Sequence, residues 1–260
     1  MREYGSLTRL EMEALDRKNT IVLIPIGAME QHGNQLPLAT DNIIAEETVA
    51  YIDRELDADF PILLFPLMPV GVSTEHMNFC GSISLRPDTL YHMLYDICKS
   101  LALHGFVKIA FLISHGGGTF HVLSRELRSE FGIGVFLINL SGLFGKPEIK
   151  ATISPGNTHD FHGGEMETSL VMAARPELVR LDASVPGVPV KYAGNKVLSY
   201  VGPVTLGWVA DEWRAPDGSP IGIGGDPRGA TAEKGETIFQ NFARVAAQGL
   251  REIAAFDCSV

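Results

Sequence analysis

A continuous apolar run, Ile21–Ile26, ends in a stretch of glycines, prolines and acids, and a helical pattern follows it at Asn42–Leu56. Strand-like runs recur at Val107–Ile113 and Val135–Leu140, each beside a segment of helical period. This alternation limits the fold more than any other feature. A strand covered on both faces reads as unbroken apolar residues, as parallel strands do. Strand alternating with helix implies parallel β/α units with right-handed crossovers. The expectation is an α/β fold with a mainly parallel sheet. The 260 residues suit one large domain or two small ones, and we take residues 1–260 as a single domain.

Ile62–Phe65 reads as a further short strand, fenced by Pro61 and Pro66, and Met68–Ser84 as a long loop carrying Glu75, His76 and Asn78. Pro87 and Asp88 open a helix, with proline in the first turn and an acid near its positive end. Leu90, Leu94, Ile97, Cys98 and Leu101 form its stripe, and Gly105 ends it. Thr119–Phe131 is helical with Leu123, Leu127 and Phe131 inward; Ser141–Asp160 reads as loop; a helix then runs to Ala174. An irregular excursion at about 185–227, rich in glycine and proline and carrying Trp208 and Trp213, would cover a site or meet a partner subunit. Ala230–Ala255 closes the chain as an amphipathic helix.

The net charge of −10 argues against a nucleic-acid surface, which needs clustered Lys and Arg. No apolar run approaches the roughly 20 residues of a membrane span. Met1–Lys18 lacks the apolar core of a signal peptide, so a cytoplasmic location is expected. The three cysteines, Cys80, Cys98 and Cys258, form no C-x-x-C pair, which removes zinc knuckles and redox motifs.

Three strand or loop ends carry the polar chemistry: Glu30, His32 and Asp41; His115; and His162 with Glu165 and Glu167. The carboxyl ends of parallel strands gather at one edge, where open α/β folds place their sites. Imidazole with carboxylate suits zinc, manganese or iron, and a carboxylate such as Asp41 can bridge two ions. The competing readings are ordinary: Asp41 as a helix cap and His115 as a hydrogen-bonded turn histidine. The glycines after His115 lack the lysine of a P-loop, and Ser114 lacks the elbow of a serine hydrolase.

The stretch Ile26–Asp41, with Gly-x-x-Glu-Gln-His-Gly and Leu-Pro-Leu-x-Thr-Asp, resembles the signature of the creatininase (creatinine amidohydrolase) family. His115-Gly116-Gly117 is similar to that family's His-Gly-Gly turn, and His162-Gly163-Gly164 with Glu167-Thr168-Ser169 to its third block. Phe79–Leu85, Gly225-Asp226-Pro227 and Ala232–Gly235 match secondary blocks. The resemblance implies a three-layer αβα fold, usually a homohexamer, with two divalent ions hydrolysing a C–N amide bond, often cyclic or formyl. It implies that Glu30 and His115 bind one ion and His32 the other, with Asp41 bridging and His162 shuttling a proton. Zinc is the first expectation, manganese or iron the alternatives. His76, Gly116, Gly117 and His159 are expected to border a small-molecule substrate.

The chain also departs from creatininase itself. Gly116 and Gly117 stand where a Tyr-Glu pair supplies a substrate contact and a metal ligand, and Thr158 and His159 stand where Trp-Asp meets creatinine. Creatinine is therefore not the expected substrate, and one ion needs an acid from elsewhere. On a helix starting near Glu165, Glu167 lies at the edge of the apolar stripe and Glu165 almost opposite. A carboxylate in an apolar layer is costly unless paired or bound to metal, so Glu167 is the expected replacement ligand, with a catalytic part as well. Glu165 is read as a helix N-terminal acid or a supporting group. The leading reading is a metal-dependent amidohydrolase using a hydroxide held by the ions. The alternatives are an isomerase or peptide-end hydrolase on the same site, or a metal-binding subunit without turnover.

Overall fold

The computed structural model describes residues 1–143, 146–200 and 203–259. Its central sheet contains β1 (Arg2–Glu3), β2 (Ile21–Ile26), β3 (Ile62–Leu64), β4 (Lys108–Ile113) and β5 (Gly134–Asn139). They pair in the order β1-β3-β2-β4-β5, every pair parallel. The helices are α1 (Arg9–Glu13), α2 (Thr40–Glu55), α3 (Pro87–Leu103), α4 (Phe120–Phe131), α5 (Leu140–Leu143), α6 (Pro147–Lys150), α7 (Glu165–Ala174) and α8 (Ala232–Ala255).

Successive strand residues point to opposite faces, and β2 divides its side chains between two cores accordingly. Ile21 and Leu23 join Ile44 and Ile52 of α2, Leu170 of α7 and Phe239 and Phe242 of α8. Val22, Ile24 and Ile26 join Leu90, Leu94 and Leu101 of α3 and Leu123 and Leu127 of α4. The result is a three-layer αβα sandwich, as the resemblance implied. Cys98 lies fully buried in the second core, where burial raises its thiol to about 12, so it stays protonated and inert.

Three features had no clear sequence signal. The two-residue strand β1 pairs Arg2 with Leu63 at the sheet edge, and its exposed charged side chains show no apolar alternation. α5 and α6 occupy the stretch read as loop, each too short to present a stripe. The excursion is held by two small ladders, Val188–Pro189 against Trp213–Arg214 and Leu198–Ser199 against Val204–Thr205.

The contact between α7 and α8 is close because Gly235 has no side chain; a Cβ there would strike the Ser169 carbonyl. Phe242, fully buried on α8, joins that helix to the sheet. Phe242→Ala should lower unfolding free energy by about 3–5 kcal/mol, read from urea denaturation. A loss below about 1 kcal/mol would show that α8 does not pack as described.

Candidate active site

β2 and β4 are neighbours, and the connections after them leave in opposite directions, toward β3 and β5, so their carboxyl ends form the switch point where open α/β sheets place ligands. Glu30 and His32 follow β2, His115 follows β4, and Asp41 opens α2. Ser114 draws these together. Its hydroxyl lies 3.1 Å from the Ile26 carbonyl and 2.9 Å from the Asp41 carbonyl, so it is a strut between β2, β4 and α2. The Asp41 carboxylate turns inward; Ala39 occupies the N-cap position.

His32 Nε2 lies 3.9 Å from Glu30 Oε1, 3.8 Å from Asp41 Oδ2 and 3.8 Å from Glu167 Oε2. His115 Nδ1 lies 3.3 Å from Glu30 Oε2 and 3.7 Å from Asp41 Oδ2. The opposite ring nitrogens are tied to the backbone: His32 Nδ1 donates to the Glu30 carbonyl at 3.1 Å and His115 Nε2 to the Val72 carbonyl at 2.6 Å. His32 therefore turns a bare Nε2 into the cluster and His115 turns its Nδ1 there, each ring held from behind by a carbonyl as metal-binding histidines are. Glu30 Oε2, His32 Nε2 and Asp41 Oδ2 are buried with no hydrogen-bond partner, which is costly unless a cation converges on them. Among the described residues, three triads have ligand atoms close enough for an ion: Glu30, Asp41 and His115; His32, Asp41 and Glu167; and Glu30, His32 and His162. The donor set suits a divalent cation.

The electrostatics point the same way. Burial, then the charge of Glu30, pushes Asp41 well above the usual carboxylate range. Burial, with the charges of Asp160 and Glu30 beside it, raises Glu167 to about 8. Burial opposes a charged His115, but Glu30 and Asp41 prevail and raise it to about 10. Burial also disfavours ionised Glu30, yet His115, His162 and His32 hold it well below the ordinary value. Burial and the neighbouring His162 lower His32 to about 3 and His76 to about 2. Burial lowers His162 as well. Three acids crowded at one imidazole nitrogen cannot all ionise without positive charge.

The third block reaches the cluster through a tight turn. Gly163 adopts φ +62°, and its N–H donates to Glu167 Oε2 at 2.5 Å. Glu165 faces away: its buried carboxylate accepts from Ser154 N and Oγ and from Asn157 Nδ2 and pairs with Lys234. His76 is buried in the cluster, its Nε2 3.5 Å from Glu30 Oε1. Gly117 has no room for a side chain, since a Cβ would strike the Val72 carbonyl, whereas Gly116 faces open space. His159 lies apart, with Nδ1 3.0 Å from the Tyr200 hydroxyl.

Three residues here had no individual role assigned from sequence, although the excursion carrying Trp208 was expected to cover a site. Asp160 accepts the N–H groups of Glu165 and Met166 at 2.6 and 3.1 Å and so anchors the helix that carries Glu167; an acid just ahead of a helix was its available signal. Gln31 sits between His76 and His162 and lay inside the first signature. Trp208 stands edge-on to His76 with ring centroids 5.5 Å apart, and nothing in sequence links it to that loop.

The fold and site together define an α/β enzyme with a polar centre at the switch point of its sheet. The family described as Creatininase: Creatinine amidohydrolase matches residues 5–250, and this chain belongs to it. The mycofactocin precursor peptide peptidase of Mycobacterium tuberculosis is 31% identical over 248 residues, covering 91% of this chain and 86% of its own. The creatinine amidohydrolase of Pseudomonas putida is 27% identical over 266 residues, covering 95% of each. A solved structure of creatininase in its Mn form superposes with a TM-score of 0.75 at 26% identity, covering 96% of this chain and 97% of the other. The relatives are hydrolases, and so is this protein.

The shifted groups set a pH dependence. Above about pH 6.5 the lowered histidines His32, His76 and His162 are neutral whether folded or unfolded. Glu167, raised to about 8, and His115, raised to about 10, keep protons in the folded state that the unfolded chain releases. Folded protein then binds more protons, so stability falls as pH rises. Chelator-treated protein should lose thermal stability between about pH 6.5 and 8, and added divalent cation should flatten the loss. A flat profile in the chelated protein would contradict this account.

Proposed function

We propose that the protein is a metal-dependent amidohydrolase cleaving a C–N amide bond of cyclic-amide or formamide type. Two divalent ions would be held by Glu30, His32, Asp41, His115 and Glu167. The observation that carries this reading is Asp41: it belongs to two of the triads, and its buried Oδ2 has no other partner. The first ion would take Glu30 and His115, the second His32 and Glu167, with Asp41 shared. Nitrogen and oxygen donors without sulfur suit zinc, with manganese or iron as alternatives. Bound there, the ions would polarise the amide carbonyl and acidify the attacking water.

His162 supplies the proton transfer. Its Nε2–H is tied to the Gln31 carbonyl at 2.8 Å, and its bare Nδ1 faces the cluster, 3.7 Å from Glu30 Oε1. Nδ1 takes a proton from the attacking water as the C–O bond forms and returns it to the leaving nitrogen as the C–N bond breaks. Besides its ligand role, Glu167 would steady the attacking water. His76 and the open face at Gly116, with the backbone of Gly117 beside it, border the substrate, with His159 further out. A second reading keeps the site and moves the scissile bond to a peptide end; the 31% identity to a peptidase of a precursor peptide favours it.

We also propose one domain over residues 1–260, a cytoplasmic location, and a homo-oligomer of six chains acting on a small molecule rather than on membrane or nucleic acid. Exposed Val188, Val190, Val197, Val204 and Leu206 on the excursion fit a face covered by another copy. No helix of the described residues is long and apolar enough to cross a membrane. Light scattering on the purified chain tests the assembly, and a monomer at all concentrations would refute it.

Protein purified without chelator should contain close to two equivalents of metal. Asp41→Asn should lower occupancy of both positions, and His162→Ala should reduce turnover of a formamide, lactam and short-peptide panel by about 10²–10⁴-fold with metal retained. Metal content near zero after reloading would refute the reading. Equal loss of metal and activity in His162→Ala would make that residue a ligand instead.

A further inference from the structure

Gln31 is buried between two histidines of the cluster, and each of its polar groups has a defined role. Its Oε1 accepts the Gly33 N–H at 2.9 Å, and its Nε2 donates to the Gly222 carbonyl at 2.7 Å. Those two partners settle which way the amide faces, since an N–H requires an acceptor and a carbonyl a donor. The second hydrogen on Nε2 points to His76 Nδ1 at 2.9 Å. Both hydrogens are then spent, so the 3.3 Å approach of Nε2 to His162 Nε2 is a contact without a hydrogen bond from Gln31. His162 Nε2 is 2.8 Å from the main-chain carbonyl of the same residue.

These contacts dictate where the imidazole protons sit. His76 Nδ1 must be bare to accept from the amide, so its proton is on Nε2, which faces Glu30 Oε1 at 3.5 Å. His162 must carry its proton on Nε2 to meet the Gln31 carbonyl, so its bare Nδ1 faces the same Glu30 oxygen at 3.7 Å. The two rings lie 4.3 Å apart yet present opposite characters, a donor from His76 and an acceptor from His162. Gly222 is built for this contact: its φ is +76°, and a Cβ there would fall 2.6 Å from Gln31 Nε2.

We infer that Gln31 is a positioning residue that sorts the two neighbouring imidazoles, its side-chain amide making His76 an Nε2–H donor and its main-chain carbonyl making His162 an Nδ1 acceptor. His162 is thereby free to receive a proton, and His76 offers a hydrogen bond beside it without competing for that proton. The role as stated rests on the active-site reading above, but the proton positions are measurable without turnover. Two-bond ¹H–¹⁵N spectra of the full chain, labelled at the histidine ring nitrogens and loaded with zinc, report which nitrogen of each ring is protonated. His76→Gln and His162→Gln assign the signals. Native protein should show protonated Nε2 on both rings and a bare His76 Nδ1. In Gln31→Glu the carboxylate has no hydrogen to give, so the His76 proton should move to Nδ1 while His162 keeps its pattern. Turnover of any amide that the native protein cleaves should fall by about 10–100-fold with zinc content unchanged. A native His76 protonated on Nδ1, a His162 bare on Nε2, or a His76 pattern indifferent to Gln31→Glu would overturn the proposal. Should Gln31→Glu fail to fold, the native spectrum alone decides. Absent turnover with the expected proton pattern would count against the amidohydrolase reading and leave the sorting by Gln31 standing.

Discussion

Glu30, Asp41 and Glu167 bring three carboxylates around the imidazole of His32 in a space closed to solvent. Desolvation and mutual repulsion both disfavour that arrangement, and much of the surrounding structure compensates for it. His115 supplies positive charge against Glu30 and Asp41. The Gly163 N–H supplies a donor to Glu167. A divalent cation would supply the remainder, and it would also depress the proton affinity of His115 by taking its lone pair.

Holding the groups at that spacing falls to residues that never face the cluster. Ser114 joins the ends of β2 and β4 to the start of α2. Asp160 anchors the start of α7, so that Glu167, two residues into the helix, comes in under His32. Glu165, on the same turn, is drawn the other way by Lys234 of α8, Ser154 and Asn157. The two acids of one short motif thus serve different ends, one in the polar centre and one tying α7 to α8. Val72 and Gly222 act similarly on the histidine side, through the carbonyls that meet His115 and Gln31.

The excursion has a double character. At Gly222–Gly225 it is stitched to the third block, Gly224 N donating to the His162 carbonyl at 2.8 Å. At Trp208 it sets an aromatic edge over His76, itself packed against Phe161 and Trp213. Asn78 on the long loop after β3 reaches Asp211 at 2.8 Å and couples the two coverings. Its outer side exposes valine and leucine that a lone chain leaves in water.

Much of this was legible in sequence, and the reason is periodicity. β2 and β4 announce themselves because both faces are buried, and α3, α4 and α8 because one stripe is. The nearness of Glu30, His32, Asp41 and His115 followed from parallel topology, since strand ends meet at one edge. The opposite facings of Glu165 and Glu167 followed from helical rotation. Tertiary structure alone decided the rest. Which histidine nitrogen faces the cluster depends on carbonyls as distant in sequence as Val72, while the partner of His162 is Gln31, 131 residues away. The tie of Glu165 to Lys234 spans 69 residues. Periodicity records whether a side chain is buried; it carries no information on which distant donor or acceptor will meet it there, because that pairing is made only when separate loops pack together.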